Sequence, residues 1–161
     1  MNEIKKIASF TVDHDYIDEG VYVSRIDGDV TTYDMRTRRP NAGTYMDNLT
    51  MHSFEHMFAT LVRGSELGDD VIYFGPMGCQ TGFYLLVRNA DNGRVLRVIK
   101  KTLADIVAYG GEMVGNTRKE CGNYKNLDIC AAKLEARVYL EKLEGKAVDF
   151  KYPVGEENEK G

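Results

Sequence analysis

No stretch of this chain approaches the roughly 20 consecutive apolar residues of a membrane span, and no apolar run of signal-peptide length follows Lys5 and Lys6. We therefore expect a cytoplasmic protein without a membrane anchor. Cysteine is scarce: Cys79, Cys121 and Cys130 are an odd number with no C-x-x-C spacing, which excludes a disulfide framework and a zinc ribbon. In a reducing compartment such thiols are free for other chemistry. Long blocks of like charge are missing too, and a net charge of −4 offers no general attraction to nucleic acid or an anionic membrane. No internal repeat or low-complexity segment interrupts the chain. What these absences leave is a small molecule or another protein as partner.

What is present fits one globular domain. A chain of 161 residues, 43% hydrophobic and 29% charged, can bury a substantial core but hardly two. We expect a single catalytic domain over residues 1–152 and a charged, frayed tail over 153–161. Ala8–Val12 alternates enough for a strand. Val21–Ile26 and Val30–Met35 are rich in strand formers and flank Asp27-Gly28-Asp29, which predicts an antiparallel hairpin. Arg36-Thr37-Arg38-Arg39-Pro40-Asn41 then reads as a solvated basic turn.

A helix capped by Asp47 or Asn48 follows, with Leu49, Phe54, Met57, Phe58, Leu61 and Val62 as its buried stripe and Gly64 or Gly68 as its end. Val71–Phe74 reads as a buried strand and Phe83–Val87 as another, separated by Gly75-Pro76-Met77-Gly78-Cys79-Gln80-Thr81-Gly82. A second helix extends to about Tyr109 before Gly110-Gly111. Residues 115–125 are a polar loop, and a last helix runs from about Leu127 to Leu143 with Cys130, Leu134, Val138 and Tyr139 facing inward. The class is α+β: an antiparallel sheet packed against helices.

The first of these helices carries His52-Ser53-Phe54-Glu55-His56, the pattern H-x-x-E-H. At about 100° per residue, Glu55 lies roughly 60° to one side of His52 and His56 roughly 40° to the other. All three side chains leave one face, so two imidazoles can grip one cation while a carboxylate stands beside it as proton carrier. The pattern occurs in inverted-motif metallopeptidases. It also fits an amphipathic helix whose histidines merely edge the core.

Two cysteines sit where chemistry is available. Cys79 lies among glycines that let a ligand approach the backbone, which suits a reactive thiolate. Cys121, in the polar loop, can complete a His-His-Cys site with an open fourth position. From spacing alone these roles can be exchanged, and either thiol can be inert. Cys130 reads as a small core residue.

Taken together, His52-Ser53-Phe54-Glu55-His56, Pro76-Met77-Gly78-Cys79-Gln80-Thr81-Gly82-Phe83-Tyr84 and Cys121-Gly122 resemble the S-ribosylhomocysteine lyase (LuxS) family. Ser9-Phe10 before Asp13-His14, and Tyr33-Asp34-Met35-Arg36 before Pro40-Asn41, extend the resemblance across most of the chain in the family's order. It implies one divalent metal per subunit, Fe(II) natively with zinc or cobalt as substitutes, held by His52, His56, Cys121 and a water. It further implies Cys79 and Glu55 as acid/base pair, and Ser9, His14, Arg36 and Arg63 as residues that line or orient the substrate. The first three would reach across the interface of a homodimer whose active sites lie at that interface.

The implied reaction moves a carbonyl along the ribose of S-ribosylhomocysteine. A β-elimination then yields homocysteine and 4,5-dihydroxy-2,3-pentanedione, the autoinducer-2 precursor of quorum sensing and a by-product of the methyl cycle. Tyr73 departs from the family, which more often places there an acidic residue contacting the homocysteine portion. Two other classes compete. A small inverted-motif metallopeptidase would use a distal glutamate as third ligand, and a non-enzymatic metal-binding module would leave Glu55 and Cys79 without purpose.

Overall fold

The computed structural model describes residues 3–154; the tail expected to fray lies, from residue 155 on, outside the described residues. Strands β1 (Gly20–Asp27) and β2 (Val30–Arg36) form the predicted hairpin, with Asp27 opposite Val30 and only Gly28-Asp29 between them. Gly28 takes φ of 61°, a conformation glycine adopts without the Cβ clash. Strands β3 (Val71–Pro76) and β4 (Gly82–Arg88) complete an antiparallel sheet of order β1-β2-β4-β3.

Among the described residues three α-helices accompany the sheet: α1 (Asn48–Arg63), α2 (Asn92–Ala108) and α3 (Ile129–Glu144). Each begins at an aspartate, Asp47, Asp91 or Asp128, whose carboxylate accepts a hydrogen bond from a backbone N–H of the first turn. The alternation of β2 and β4 turns Tyr33, Met35, Phe83, Leu85 and Val87 to the inner side, all fully buried. Against them lie Phe54, Met57, Phe58 and Val62 of α1, whose 3.6-residue period collects them on one stripe. The ring centroids of Phe58 and Phe74 are 4.5 Å apart and those of Phe54 and Phe83 4.7 Å. Burying each phenyl contributes roughly 1.5–3 kcal/mol, so this cluster fixes α1, and whatever its other face carries, on the sheet.

Four expectations need correction. Ala8–Val12 is not a strand: Ala8–Phe10 is one turn of 3-10 helix, closed by Phe10 N–H to the Ile7 carbonyl and Thr11 N–H to that of Ala8. The free edge of β1 is taken instead by the C-terminal segment, where the Val23 N–H donates to the Phe150 carbonyl at 2.9 Å. Strand β3 is an edge strand, so Ile72 and Tyr73 are exposed rather than buried.

The inward face of α3 is Ala132, Glu135, Ala136, Tyr139 and Leu143, while Cys130, Leu134 and Val138 are exposed. Two alanines let α3 approach α1 and α2 closely, and Glu135 is drawn inside by Arg38, whose Nη2 donates to it at 2.7 Å. Finally, the basic turn is not solvated at its start: Arg36 ends β2 and is 2% exposed.

Candidate metal centre and adjoining cleft

The core-facing stripe of α1 leaves His52, Glu55 and His56 on another side, each half-buried. The two imidazole centroids are 4.6 Å apart. Each ring is held by its Nδ1, His52 against the Asn126 carbonyl at 2.8 Å and His56 against the Val114 carbonyl at 3.0 Å. A carbonyl only accepts, so each Nδ1 carries the proton and each Nε2 keeps its lone pair for a ligand.

Cys121 arrives from the loop between α2 and α3, with its Sγ 3.4 Å from His52 Nε2, and the three ligand atoms all lie within 4.8 Å of one another. A tetrahedral ion with bonds of about 2.0–2.3 Å sets its donors about 3.5 Å apart, a separation the His52–Cys121 pair already has. The backbone N–H of Asn123 also points at the sulfur, at 3.4 Å.

Several contacts bring that distant loop to α1. The Asp128 N–H donates to Ser53 Oγ at 2.8 Å, and Asn126 Nδ2 donates to Asn48 Oδ1 at 2.5 Å. Gly115 makes the closest fit: with φ of 66°, a Cβ there would stand 2.7 Å from His56 Nδ1. The loop is thus shaped around the imidazole. Donor types, engaged Nδ1 atoms and this cradle all fit a divalent metal.

Next to this cluster the β3–β4 turn carries Cys79. Met77 N–H closes the turn on the Gly82 carbonyl at 2.9 Å, and Gln80 adopts φ of 64°. A Cβ at Gly82 would lie 2.7 Å from the Met35 carbonyl, so only glycine lets β4 approach β2 there. The Met46 N–H, just ahead of α1, donates to the Gln80 carbonyl at 3.0 Å, which ties the histidine helix to the cysteine turn.

Cys79 is exposed into a cleft of about 340 Å³ that Ser9, His14, Arg36 and Tyr84 also line. Glu55 and His52 line a neighbouring hollow of about 240 Å³, and Pro76 forms a wall of both. Ser9 and His14 reach this cleft beside Cys79 of their own chain, whereas the resemblance implies that they cross to a partner.

Arg63 is not brought there. It ends α1, about 12 Å along the axis from Glu55, and its Nη1 donates to the Val71 carbonyl at 3.1 Å.

Electrostatically the cleft is dominated by Arg36. Burial opposes its charge, yet the Asp34 carboxylate holds the guanidinium above its ordinary range. Burial and then Asp34 likewise push up the phenol of Tyr84, which stays protonated.

Three residues that matter here were not singled out as site residues from sequence: Asp34, Thr81 and Gly115. A signal for the first existed, since residues two apart on a strand share a face and Asp34 precedes Arg36 by two.

A family model described as S-Ribosylhomocysteinase (LuxS) matches residues 7–149. The chain is similar to the S-ribosylhomocysteine lyase of Borreliella afzelii (strain PKo), 40% identical over 157 residues covering 93% of this chain and 100% of that protein. It is also similar to that of Desulfotalea psychrophila (strain LSv54 / DSM 12343), 41% identical over 143 residues, 85% of this chain and 90% of the relative.

Proposed function

The chain belongs to the S-ribosylhomocysteinase (LuxS) family and is a carbon–sulfur lyase acting on S-ribosylhomocysteine, and from this premise we propose how its residues divide the work. His52, His56 and Cys121 hold one divalent ion, Cys79 and Glu55 carry protons, and Ser9, His14 and Arg36 hold the sugar. The observation that carries this reading is the convergence of three ligand atoms within 4.8 Å, beside a cleft that exposes a second thiol. When bound, the ion supplies Lewis-acid polarisation of the sugar oxygens. The family resemblance implies Fe(II), with zinc or cobalt as substitutes, and two imidazoles with a thiolate can hold any of these ions.

Cys79 as thiolate and Glu55 as carboxylate stand on the two sides of Pro76 and act as the proton carriers. They take a proton from C2 and return one to C1, then repeat this from C3 to C2, so the carbonyl moves from C1 to C3. Removal of the C4 proton then drives its electron pair into a C4–C5 double bond. The C5–S bond breaks, and its electrons leave on the homocysteine sulfur. Ketonisation of the resulting enol gives 4,5-dihydroxy-2,3-pentanedione.

Arg36, fixed and charged at the cleft wall, meets the oxygen-rich substrate, and Ser9 and His14 line the same cleft. Arg63 is engaged at the Val71 carbonyl, and we place it outside this set.

A homodimer with the active sites at its interface accords with the apolar side chains left exposed around the cleft, Ile7, Phe10 and Tyr73. Three cysteines free of disulfides accord with the cytoplasm. Among the described residues no helix is long and apolar enough to cross a membrane.

The test is a pair of variants purified anaerobically. Cys79→Ala should abolish homocysteine release while the metal stays bound, and Cys121→Ala should lose the metal. The reverse pattern would exchange the two cysteines, and no homocysteine from metal-replete parent protein would overturn the assignment.

A further inference from the structure

On the outer face of the sheet, Asp34 and Arg36 form an ion pair with 1% and 2% exposure. The guanidinium is clamped in two places: Nε donates to Oδ1 at 3.1 Å and Nη2 to Oδ2 at 2.6 Å. A planar fork held this way has one orientation for its remaining nitrogen. Nη1 donates to Thr81 Oγ1 at 2.8 Å and lies 3.9 Å from Cys79 Sγ. Thr81 Oγ1 is in turn 3.0 Å from that sulfur. Because Oγ1 accepts from Arg36, the hydroxyl hydrogen of Thr81 is free to point at Sγ.

The other end of the chain of contacts lies in the C-terminal segment. Tyr152 donates from its hydroxyl to Asp34 Oδ2 at 2.7 Å, 118 residues away in sequence. Its ring stacks on Tyr22 with centroids 4.9 Å apart, and the hydrogen bond from Val23 to Phe150 pins the segment to β1. Burial, and then the charge of Asp34, push the phenol far above its ordinary value, so it acts as donor throughout the working range. Tyr152 also lies beyond the residues matched by the family model, which end at 149.

We propose that Tyr152 is a positioning residue for Cys79, acting through Asp34 and Arg36 to aim the Thr81 hydroxyl at the sulfur. The carboxylate of Asp34 has two oxygens and is shared between the fork and the phenol. Without the phenol it is free to rotate, and the fork rotates with it. Nη1 then no longer fixes Thr81, and the negative charge on Cys79 loses an oriented donor that solvent in the open cleft replaces only with a mobile one. Ser9 and His14 are untouched, so loss of the Thr81 hydroxyl alone falls on proton transfer, whereas loss of the Tyr152 hydroxyl also loosens the hold of Arg36 on the sugar.

This inference rests on the reading of Cys79 as a proton carrier, and the experiment separates the two. Tyr152→Phe keeps the ring stack and removes only the hydroxyl; Thr81→Val keeps shape and removes the donor, and Thr81→Ser restores it. Metal-loaded proteins are compared by kcat, by KM, and by the rate at which iodoacetamide alkylates Cys79, followed by mass spectrometry of its peptide.

We expect Tyr152→Phe and Thr81→Val each to lower kcat about tenfold, the scale of one hydrogen bond to a charged group. KM should change less than twofold in Thr81→Val, which leaves Arg36 clamped by Asp34, and rise in Tyr152→Phe; Cys79 alkylation should slow in both, and Thr81→Ser should recover most of the rate. The double variant should be little worse than either single one, because both interrupt the same chain of contacts.

Parent-like kcat and alkylation in Tyr152→Phe, or losses that multiply in the double variant, would overturn the positioning role. An active Cys79→Ala variant would instead overturn the reading of Cys79 itself.

Discussion

Replacing Gly115 by alanine should weaken metal binding without touching a ligand. The added methyl would stand 2.7 Å from His56 Nδ1 and 3.0 Å from Cε1, well inside contact distance, and at φ of 66° it also strains the backbone. The left-handed conformation costs an alanine about 1–2 kcal/mol. Either the imidazole or the loop must yield, and both movements break the 3.0 Å bond from Nδ1 to the Val114 carbonyl.

Losing such an outer bond typically lowers metal affinity 10- to 100-fold, equivalent to about 1.4–2.8 kcal/mol. A competition titration against a chromophoric chelator reads this directly. The thermal midpoint of metal-free protein should fall by the strain alone, and that of metal-loaded protein by more, since bound metal stabilises in proportion to its affinity. Gly110→Ala is the control, because nothing lies within 4 Å of the methyl it would add. Metal affinity within twofold of the parent in Gly115→Ala would refute the idea that the loop is shaped around His56.

Two further predictions concern stability and assembly. Burial alone would raise the carboxyl of Glu19, but the Lys142 ammonium bonded to it holds it below its ordinary 4.5. A depressed folded value means stabilisation that is present in full above the unfolded value and is lost as pH falls through the lower, folded one. Chemical denaturation should therefore find Glu19→Gln less stable than the parent at neutral pH, and the gap should close as the solution is acidified below about 4.5.

For the homodimer, specific activity should fall on dilution as the subunits separate, followed by sedimentation and thiol release on the same samples. Stable monomers of full activity would exclude a shared site.

The correspondence between sequence and structure was best where the physics is local. Asp27-Gly28-Asp29 names its own turn, Asp47 caps α1 one residue ahead of it, and the stripe from Phe54 to Val62 is buried because helical period alone aligns it. It was poorest where small or charged residues make a buried face. Large side chains drew the inward face of α3 toward Leu134 and Val138, which are 53% and 39% exposed. The true face, with two alanines and Glu135, is decided by close helix approach and by an arginine 97 positions away. Arg36 is buried for a similar reason: three nearby arginines look solvated in sequence, and only the fold sets a buried aspartate beside one of them.

By itself, then, the sequence determined that one helix would present His52, Glu55 and His56 together, because a 3.6-residue period needs no partner to define a face. Spacing left Cys79 and Cys121 interchangeable, and only the resemblance to a family assigned them different tasks. The tertiary structure decided what spacing could not. It set Cys121 Sγ 3.4 Å from His52, across 69 residues, and Tyr152 against Asp34 across 118. Such contacts depend on how the loops and the chain end pack against a finished sheet and helix, and no local periodicity encodes that.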